Sequence, residues 1–351
     1  MAQHYATLKD VARLAGTTAG TVSYVLSGKE GRYISTEMRE RVMKAVHELG
    51  YVKSSAASSL RGKKRGIIAV LVPQFGNQFF TRIVLGIEAE ADKKGYILSI
   101  CNTFDDPERE GEIVNRMAQH RVDGYILSPT VEGERNTRQV RQLGVPLVVV
   151  DRSLQGVESY PWVTFSNYQC GYMATEYLLK KGHRNIALIV WKSNVPDLDE
   201  RKQAFEDAMQ KYGVDPAPFI LLEEDLREEC GYEMTRQALC QHPDLTAIVY
   251  DNNIQAKGGV RYLSEQGLRV GEDISVVMIG TPEWANVGSN DFAQIEQHEY
   301  EMGQRAAAML LDLIEHPEKK PEKVCLDCTF HKGNSVKDLT GKAQQVASAT
   351  Q

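Results

Sequence analysis

The sequence predicts an α + α/β chain: a small all-helical headpiece in front of a larger, doubly wound α/β body in two lobes. Three observations carry this. Residues 7–28 read T-L-K-D-V-A-R-L-A-G-T-T-A-G-T-V-S-Y-V-L-S-G, two short amphipathic stretches separated by a turn containing glycine. From residue 67 to 330, apolar runs of strand length alternate with stretches of helical period. The charge is also divided unevenly. Residues 1–66 hold 12 Lys and Arg against 5 Asp and Glu, a net of +7, which leaves −13 for the remainder of a chain whose total is −6.

In the front segment, Thr7 followed three residues later by Asp10 predicts a capped helix start. Leu8, Val11, Ala12 and Ala15 share one face, and Gly16 ends the helix. Thr18 caps a second helix whose buried stripe is Val22, Val25 and Leu26. Small and hydroxyl side chains exposed on the second member of such a pair describe a helix-turn-helix. Ser35 or Thr36 caps a third helix, with Val42, Ala45, Val46 and Leu49 inward and Gly50 at its end. Residues 54–65, S-S-A-A-S-S-L-R-G-K-K-R, have the composition of a linker. Residues 54–60 also allow two helical turns with Ala57 and Leu60 on one side, a length marginal in isolation.

The body is expected to hold strands at 67–73, 96–101, 122–128, 145–150, 162–165, 186–191, 247–250, 274–279 and 323–330. Helices are expected at 79–94, 107–120, 137–143, 168–181, 199–212, 229–241, 254–266 and 300–315. Such alternation builds parallel sheets with right-handed crossovers. About ten strands are too many for one comfortable sheet, hence two lobes. Ligands in such folds bind in the crevice at the carboxyl ends of the strands.

Several function classes lose support. Hydrophobic content of 42% and charge of 25% are ordinary for a globular chain, and no apolar run approaches the ~20 residues of a membrane span. The start, M-A-Q-H-Y-A-T, has neither a basic nor an apolar leader region, so export is not expected. Six unevenly spaced cysteines fit a reducing compartment. Cys325 and Cys328 form one C-x-x-C, but strand alternation would place them on opposite faces, which argues against a metal. The turn after the first strand, P-Q-F-G-N-Q-F-F, holds one glycine and no phosphate cradle. No nucleophile elbow, H-E-x-x-H or Cys/His arrangement is present. Neither a catalytic residue, a cofactor nor a metal is expected. The rival classes are a sugar-binding transport protein and an α/β enzyme without a recognisable motif.

The elements T-L-K-D-V-A-R-L-A-G, T-V-S-x-V-L-S-G, E-L-G-Y and S-S-A-A-S-S-L-R-G closely resemble the LacI/GalR (lactose-repressor) family in order and spacing. The resemblance continues through G-N-Q-F-F at 76–80, C-N-T-F-D-D-P-E-R-E at 101–110, R-V-D-G-Y-I-L-S-P at 121–129 and V-D-R at 150–152. It extends to K-G-H-R-N-I-A-L-I ending at 189, E-D-I-S-V-V at 272–277 and E-M-G-Q-R-A-A at 301–307. It implies a homodimeric, cytoplasmic, ligand-responsive repressor of a pseudo-palindromic double-stranded DNA operator. The body would be a periplasmic-binding-protein-like effector domain taking a sugar or sugar derivative. The implied domains are a headpiece at 1–53, a hinge helix at 54–65, an effector domain at 66–335 and a polar tail at 336–351. Lobe 1 would comprise about 66–165 and 292–320, and lobe 2 about 166–291 and 321–335. The chain would then cross between lobes near Phe165, Asp291 and Lys320.

The resemblance also implies the site residues. DNA contacts fall on Thr7, Leu8, Thr18, Ala19, Gly20, Thr21, Ser23, Tyr24, Ser35, Tyr51, Ala57, Leu60 and Arg61, with Leu60 as the minor-groove wedge. Tyr24 replaces a common arginine, so bidentate guanine reading is lost there. Effector contacts fall on Phe79, Phe80, Ser128, Asp151, Arg201, Asn252 and Asn253, with Trp191 and Trp284 as stacking surfaces. The departures concern acids: Asn253 stands where the family usually has Asp, and M-I-G-T puts Gly280 at a position usually held by a hydroxyl-gripping carboxylate. These losses weaken the case for an ordinary neutral hexose and leave an acidic, phosphorylated or less hydroxylated effector open.

Overall fold

The computed structural model describes residues 6–27, 33–52, 64–152, 160–191, 196–223, 226–287 and 291–341. The chain divides into two compact units, Met1–Arg65 and Gly66–Gln351.

In the first unit, helices α1 (Leu8–Ala15), α2 (Ala19–Ser27) and α3 (Thr36–Glu48) surround Val11, Ala12, Ala15, Val22, Val25, Val42 and Ala45. Thr7 and Asp10 form the reciprocal capping box that their spacing predicts, and Gly16 takes the left-handed conformation at φ 64°. Thr18 Oγ1 accepts the amide hydrogen of Thr21 at 3.2 Å, and Ser35 caps α3 through Met38. Arg41 donates to the carbonyl of Ala15 at 2.7 Å, tying α3 to the end of α1. Leu49 is a correction. It is the C-cap of α3 and stays 36% exposed, because the buried stripe ends one turn earlier.

The second unit contains two six-stranded sheets. The first holds β1 (Ile67–Val72), β2 (Ile97–Asn102), β3 (Gly124–Leu127), β4 (Leu147–Val150), β5 (Trp162–Phe165) and β11 (Lys323–Leu326), in the order β11-β5-β4-β3-β1-β2. The second holds β6 (Ile186–Trp191), β7 (Ile220–Glu223), β8 (Ala247–Tyr250), β9 (Ser275–Ile279), β10 (Ala293–Glu296) and β12 (Thr329–His331), in the order β12-β10-β9-β8-β6-β7. Pairing is parallel except between β10 and β12. The central strands are continuous apolar runs such as I-I-A-V-L-V, the pattern of strands covered on both faces.

The covering helices are α4 (Gln78–Asp92), α5 (Pro107–Gln119), α6 (Glu134–Gln142), α7 (Asn167–Lys180), α8 (Pro196–Lys211), α9 (Glu228–Gln241), α10 (Asn253–Glu265) and α11 (Glu299–Glu315). Their starts follow the local sequence: Asn77, Asp106, Ser166 and Asn252 each cap the next helix with a side-chain oxygen. Helices α4 and α11 touch backbone to backbone. A Cβ on Gly86 would stand 2.0 Å from the Tyr300 carbonyl oxygen, and one on Gly303 would stand 2.0 Å from that of Ile83.

The structure corrects three sequence expectations here. β7 and β10 lie in segments that the sequence reading leaves without strands. The run 323–330 is two strands in different sheets, so the C-x-x-C spans a crossover: Cys325 is exposed, while buried Cys328 meets Cys170 at 2.8 Å. The crossings therefore fall at Ser166, at Gln297–His298 and at Asp327–Cys328. The first agrees with Phe165; the others replace Asp291 and Lys320, because β10 pairs with β9 before the chain leaves lobe 2. The described part of the expected tail is also bound. The Lys337 amide donates to Ser275 Oγ, and the Leu339 amide donates to the Lys181 carbonyl.

Candidate functional site

Between the carboxyl ends of the two sheets lies a cavity of about 420 Å³. Lobe 1 supplies Pro73 and Gln74 after β1, Asn77, Phe79 and Phe80 at the start of α4, Phe104 and Asp105 after β2, and Asp151 and Arg152 after β4. Lobe 2 supplies Trp191 ending β6, Arg201 of α8, Leu226 and Arg227 before α9, Asn252 and Asn253 after β8, and Ile279 ending β9; Gln297 stands at the crossing.

The lobe-1 wall is fixed by charge and by backbone. Arg152 donates to both carboxylate oxygens of Asp105, at 2.5 and 3.1 Å, and lies 4.0 Å from Asp151. Phe104, Asp105 and Asp151 hold positive φ of 55°, 58° and 68°, sparsely populated conformations for residues with a Cβ. Such strain persists only where the surroundings impose it, and it gathers at functional sites.

On lobe 2, Arg201 is 5% exposed. Its Nε donates to Asn167 Oδ1 at 2.7 Å and its Nη1 donates to the Asp251 carbonyl, while Nη2 has no partner among the described residues. The Asp251 carboxylate is turned into the protein, where it accepts the Trp191 amide hydrogen at 3.2 and 3.3 Å. Burial pushes its pKa up to about 7, against the pull of Arg201.

The lobes also touch across the cavity. Arg82 donates to Thr281 Oγ1 at 2.7 Å, the Glu283 amide donates to Gln78 Oε1 at 3.0 Å, and Asn253 approaches Asn77 at 3.5 Å. The Arg152 guanidinium sits 6.0 Å from the Trp191 ring centre.

Of the sequence-predicted effector residues, Phe79, Phe80, Asp151, Trp191, Arg201, Asn252 and Asn253 line this cavity. Ser128 is fully buried and meets it only through Asp151, 3.4 Å away. Trp284 is a correction: it packs edge-on against Phe292 and faces a separate depression beside Lys257 and Arg261. An apolar ring two residues beyond Pro282 found the lobe-2 core rather than the cleft. Sequence reasoning missed Asn77, Phe104, Asp105, Arg152, Arg227 and Gln297. The signals available were an Asn before a helix start and the acidic-basic pairs inside N-T-F-D-D and V-D-R.

In the headpiece, Thr18, Gly20 and Ser23 are exposed on α2, and Thr21 and Tyr24 are half-buried. Ala19 and Leu8 pack against the core. The hydroxyls of Thr7, Thr18 and Ser35 cap helices, so each stands at a helix N-terminus, where backbone amides favour an anion such as phosphate. Tyr51 also packs on the core. Ala57, Leu60 and Arg61 lie outside the described residues.

Comparison with known proteins assigns both units. The family described as "Periplasmic binding proteins and sugar binding domain of LacI family" matches residues 65–334, and "Bacterial regulatory proteins, lacI family" matches residues 7–54. The chain is 31% identical over 315 residues to the ribose operon repressor of Halalkalibacterium halodurans, covering 90% of this chain and 91% of that protein. It is 29% identical over 315 residues to the HTH-type transcriptional repressor PurR of Haemophilus influenzae, covering 90% and 93%. The Lac repressor dimer bound to operator and the anti-inducer ONPF superposes with a TM-score of 0.78 at 26% identity, covering 95% of this chain and all of the other.

Proposed function

The chain belongs to the LacI family of bacterial regulatory proteins, and from this we propose that it binds a near-palindromic operator as a homodimer and releases or grips it according to a small molecule held in the cleft. DNA-binding repression, with no enzymatic step, is the activity of the family. The observation that supports the rest is the cavity itself: a buried arginine with one free Nη2 and strained acidic turns face each other across two lobes joined at three crossings. A ligand that bridges the lobes changes their angle. That angle sets the separation of the two hinge segments in a dimer, and with it their ability to pair on DNA.

Homodimer formation is supported by the edge of the first sheet. Strand β2 leaves Ile97 66% and Ile100 43% exposed, and Leu85 on α4 is 49% exposed, an apolar surface suited to isologous pairing. Two headpieces then read half-sites related by the same two-fold axis. A protein with this partner works in the cytoplasm. The effector is a sugar or sugar derivative, in keeping with the ribose operon repressor among its relatives and with the similar regulator CelR, solved as a cellobiose complex.

The test is fluorescence anisotropy of the intact protein on DNA from the region upstream of its own gene and on random duplex. Leu60→Ser is expected to weaken specific binding at least tenfold and to leave random binding nearly unchanged. Equal losses on both duplexes remove the wedge. No preference for any genomic duplex over random DNA, with or without metabolites, overturns the proposal.

A further inference from the structure

The crossings between the lobes hold a pair of thiols that the effector reading does not use. Cys170 stands near the start of α7, just after the first crossing at Ser166, and Cys328 ends the third crossing immediately before β12. Their sulfurs are 2.8 Å apart. A disulfide bond is about 2.05 Å long, so bonding the pair needs a movement of under about 1 Å. Cys328 Sγ also donates to the Ser166 carbonyl at 3.9 Å. The thiol pair therefore joins the first crossing to the third.

The two thiols are unequal. Cys170 is 0% exposed, whereas Cys328 is 7% exposed. The hydrogen bond with Cys170 and the charge of Arg201 hold the pKa of Cys328 below the ordinary thiol value, against the effect of burial. Burial drives that of Cys170 the other way. Cysteine oxidation needs this division: a thiolate meets the oxidant, and a neighbouring thiol resolves the product. Cys325 is exposed on β11, but its own partial burial, Cys328, Asp327 and Glu200 all raise its pKa, which makes it the poorer thiolate.

We propose that Cys170 and Cys328 form an oxidative modification site, whose substrate is a small hydroperoxide and whose product is a reversible disulfide between the first and third crossings. The Cys328 thiolate attacks one peroxide oxygen, the O–O bond breaks, and the departing hydroxide takes a proton and leaves as water. Cys328 is then a sulfenic acid. The Cys170 sulfur attacks the Cys328 sulfur, the S–O bond breaks, and the second hydroxide leaves as water with the Cys170 proton. Two thiols are oxidised and the peroxide is reduced to two waters. Dithiothreitol reverses the bond by thiol exchange. The narrow opening at Cys328 admits a molecule of the size of hydrogen peroxide and excludes a peptide disulfide such as oxidised glutathione.

The bond joins positions 158 residues apart and encloses β6 to β10, five of the six strands of the second sheet. A constraint on so long a loop acts strongly on the unfolded chain. It is also anchored beside the cavity. Asn167, three residues before Cys170, accepts the Arg201 Nε hydrogen at 2.7 Å.

The experiment treats the reduced full-length protein with hydrogen peroxide, blocks remaining thiols with iodoacetamide and maps the digest by mass spectrometry. A peptide pair cross-linked through Cys170 and Cys328 is expected, with Cys325 alkylated, and dithiothreitol restores both thiols. The oxidised protein is expected to melt at least about 4 °C higher, and hydrogen exchange to slow around Ser166 and Asp327. Cys170→Ala is expected to leave Cys328 as a sulfenic acid that dimedone captures, and Cys328→Ala to leave Cys170 unreacted and the melting temperature unmoved by peroxide. Mapping of the wild type stands whether or not either variant folds. A disulfide between Cys325 and Cys328, a Cys328 sulfinic acid without the cross-link, or unreacted thiols would overturn the proposal. So would a cross-link that leaves Tm unchanged, or one that oxidised glutathione forms as fast as peroxide does.

Discussion

Asp105→Asn tests whether the lobe-1 wall is held by its ion pair. The substitution keeps the shape, and asparagine tolerates the positive φ of this position, so charge is the main variable. Breaking a fully buried pair costs about 3–5 kcal/mol, whereas an exposed pair contributes about 0–1 kcal/mol. This pair lies between the limits: the Arg152 side chain is 7% exposed and that of Asp105 is 29% exposed, and Asp151 remains 4.0 Å away as a second counter-charge. The expected loss is about 2 kcal/mol, which for a unit of this size lowers Tm by about 4–8 °C. Guanidinium denaturation and calorimetry of the unliganded protein measure it. A double-mutant cycle with Arg152→Gln separates the coupling from the single losses, since removing both charges is expected to cost less than the sum. A loss within about 0.5 kcal/mol, the range of ordinary surface changes, would show Arg152 to be solvated and refute the fixed wall.

Gly86→Ala places a Cβ 2.0 Å from the Tyr300 carbonyl oxygen. The gain of about 1 kcal/mol in helix propensity is outweighed by overpacking of about 1–3 kcal/mol or more, so a lower denaturation midpoint is expected; a higher one would mean that α4 and α11 do not meet there. The raised pKa values of Asp251 and Glu110, each about 7 and both caused mainly by burial, fix the sign of a pH dependence. Between the unfolded carboxyl range and neutrality the folded state keeps protons that the unfolded chain releases, so stability falls as pH rises, by at most about 1.4 kcal/mol per pH unit for each group. Asp251→Asn is expected to flatten the decline between pH 5 and pH 8, and adding Glu110→Gln to flatten it further. Melting curves that decline as steeply in the double variant would contradict this.

Local signals carried most of the elements. Thr7 with Asp10, Gly16, and Asn252 before α10 are caps whose chemistry is complete within a few residues, and the apolar runs of β1, β4 and β9 are unmistakable. β10 escaped because A-Q-I-E is short and half polar; its pairing with β9 is decided by a neighbour 16 residues earlier in the chain. The two-residue interruption at Asp327–Cys328 looks like continued alternation, and only the sheets on either side distinguish one strand from two. In the cleft, single residues at strand ends were legible from the family pattern. The Asp105–Arg152 pair was not, since it joins positions 47 apart, and Trp284 was misplaced because burial against Phe292 leaves no mark in the order of residues.

The way the chain threads the two lobes has a consequence for biosynthesis. Neither lobe is one continuous piece: the first sheet receives its last strand, β11, after β10 has already joined the second, and β12 then joins the second sheet antiparallel to β10. A ribosome that has delivered residues 66–165 has made a half-covered sheet still waiting for α11 and β11, so completion of either body is postponed until nearly the whole polypeptide has emerged. Dissection at residue 166 should yield two insoluble halves, whereas a nick there in the finished protein leaves the pieces associated.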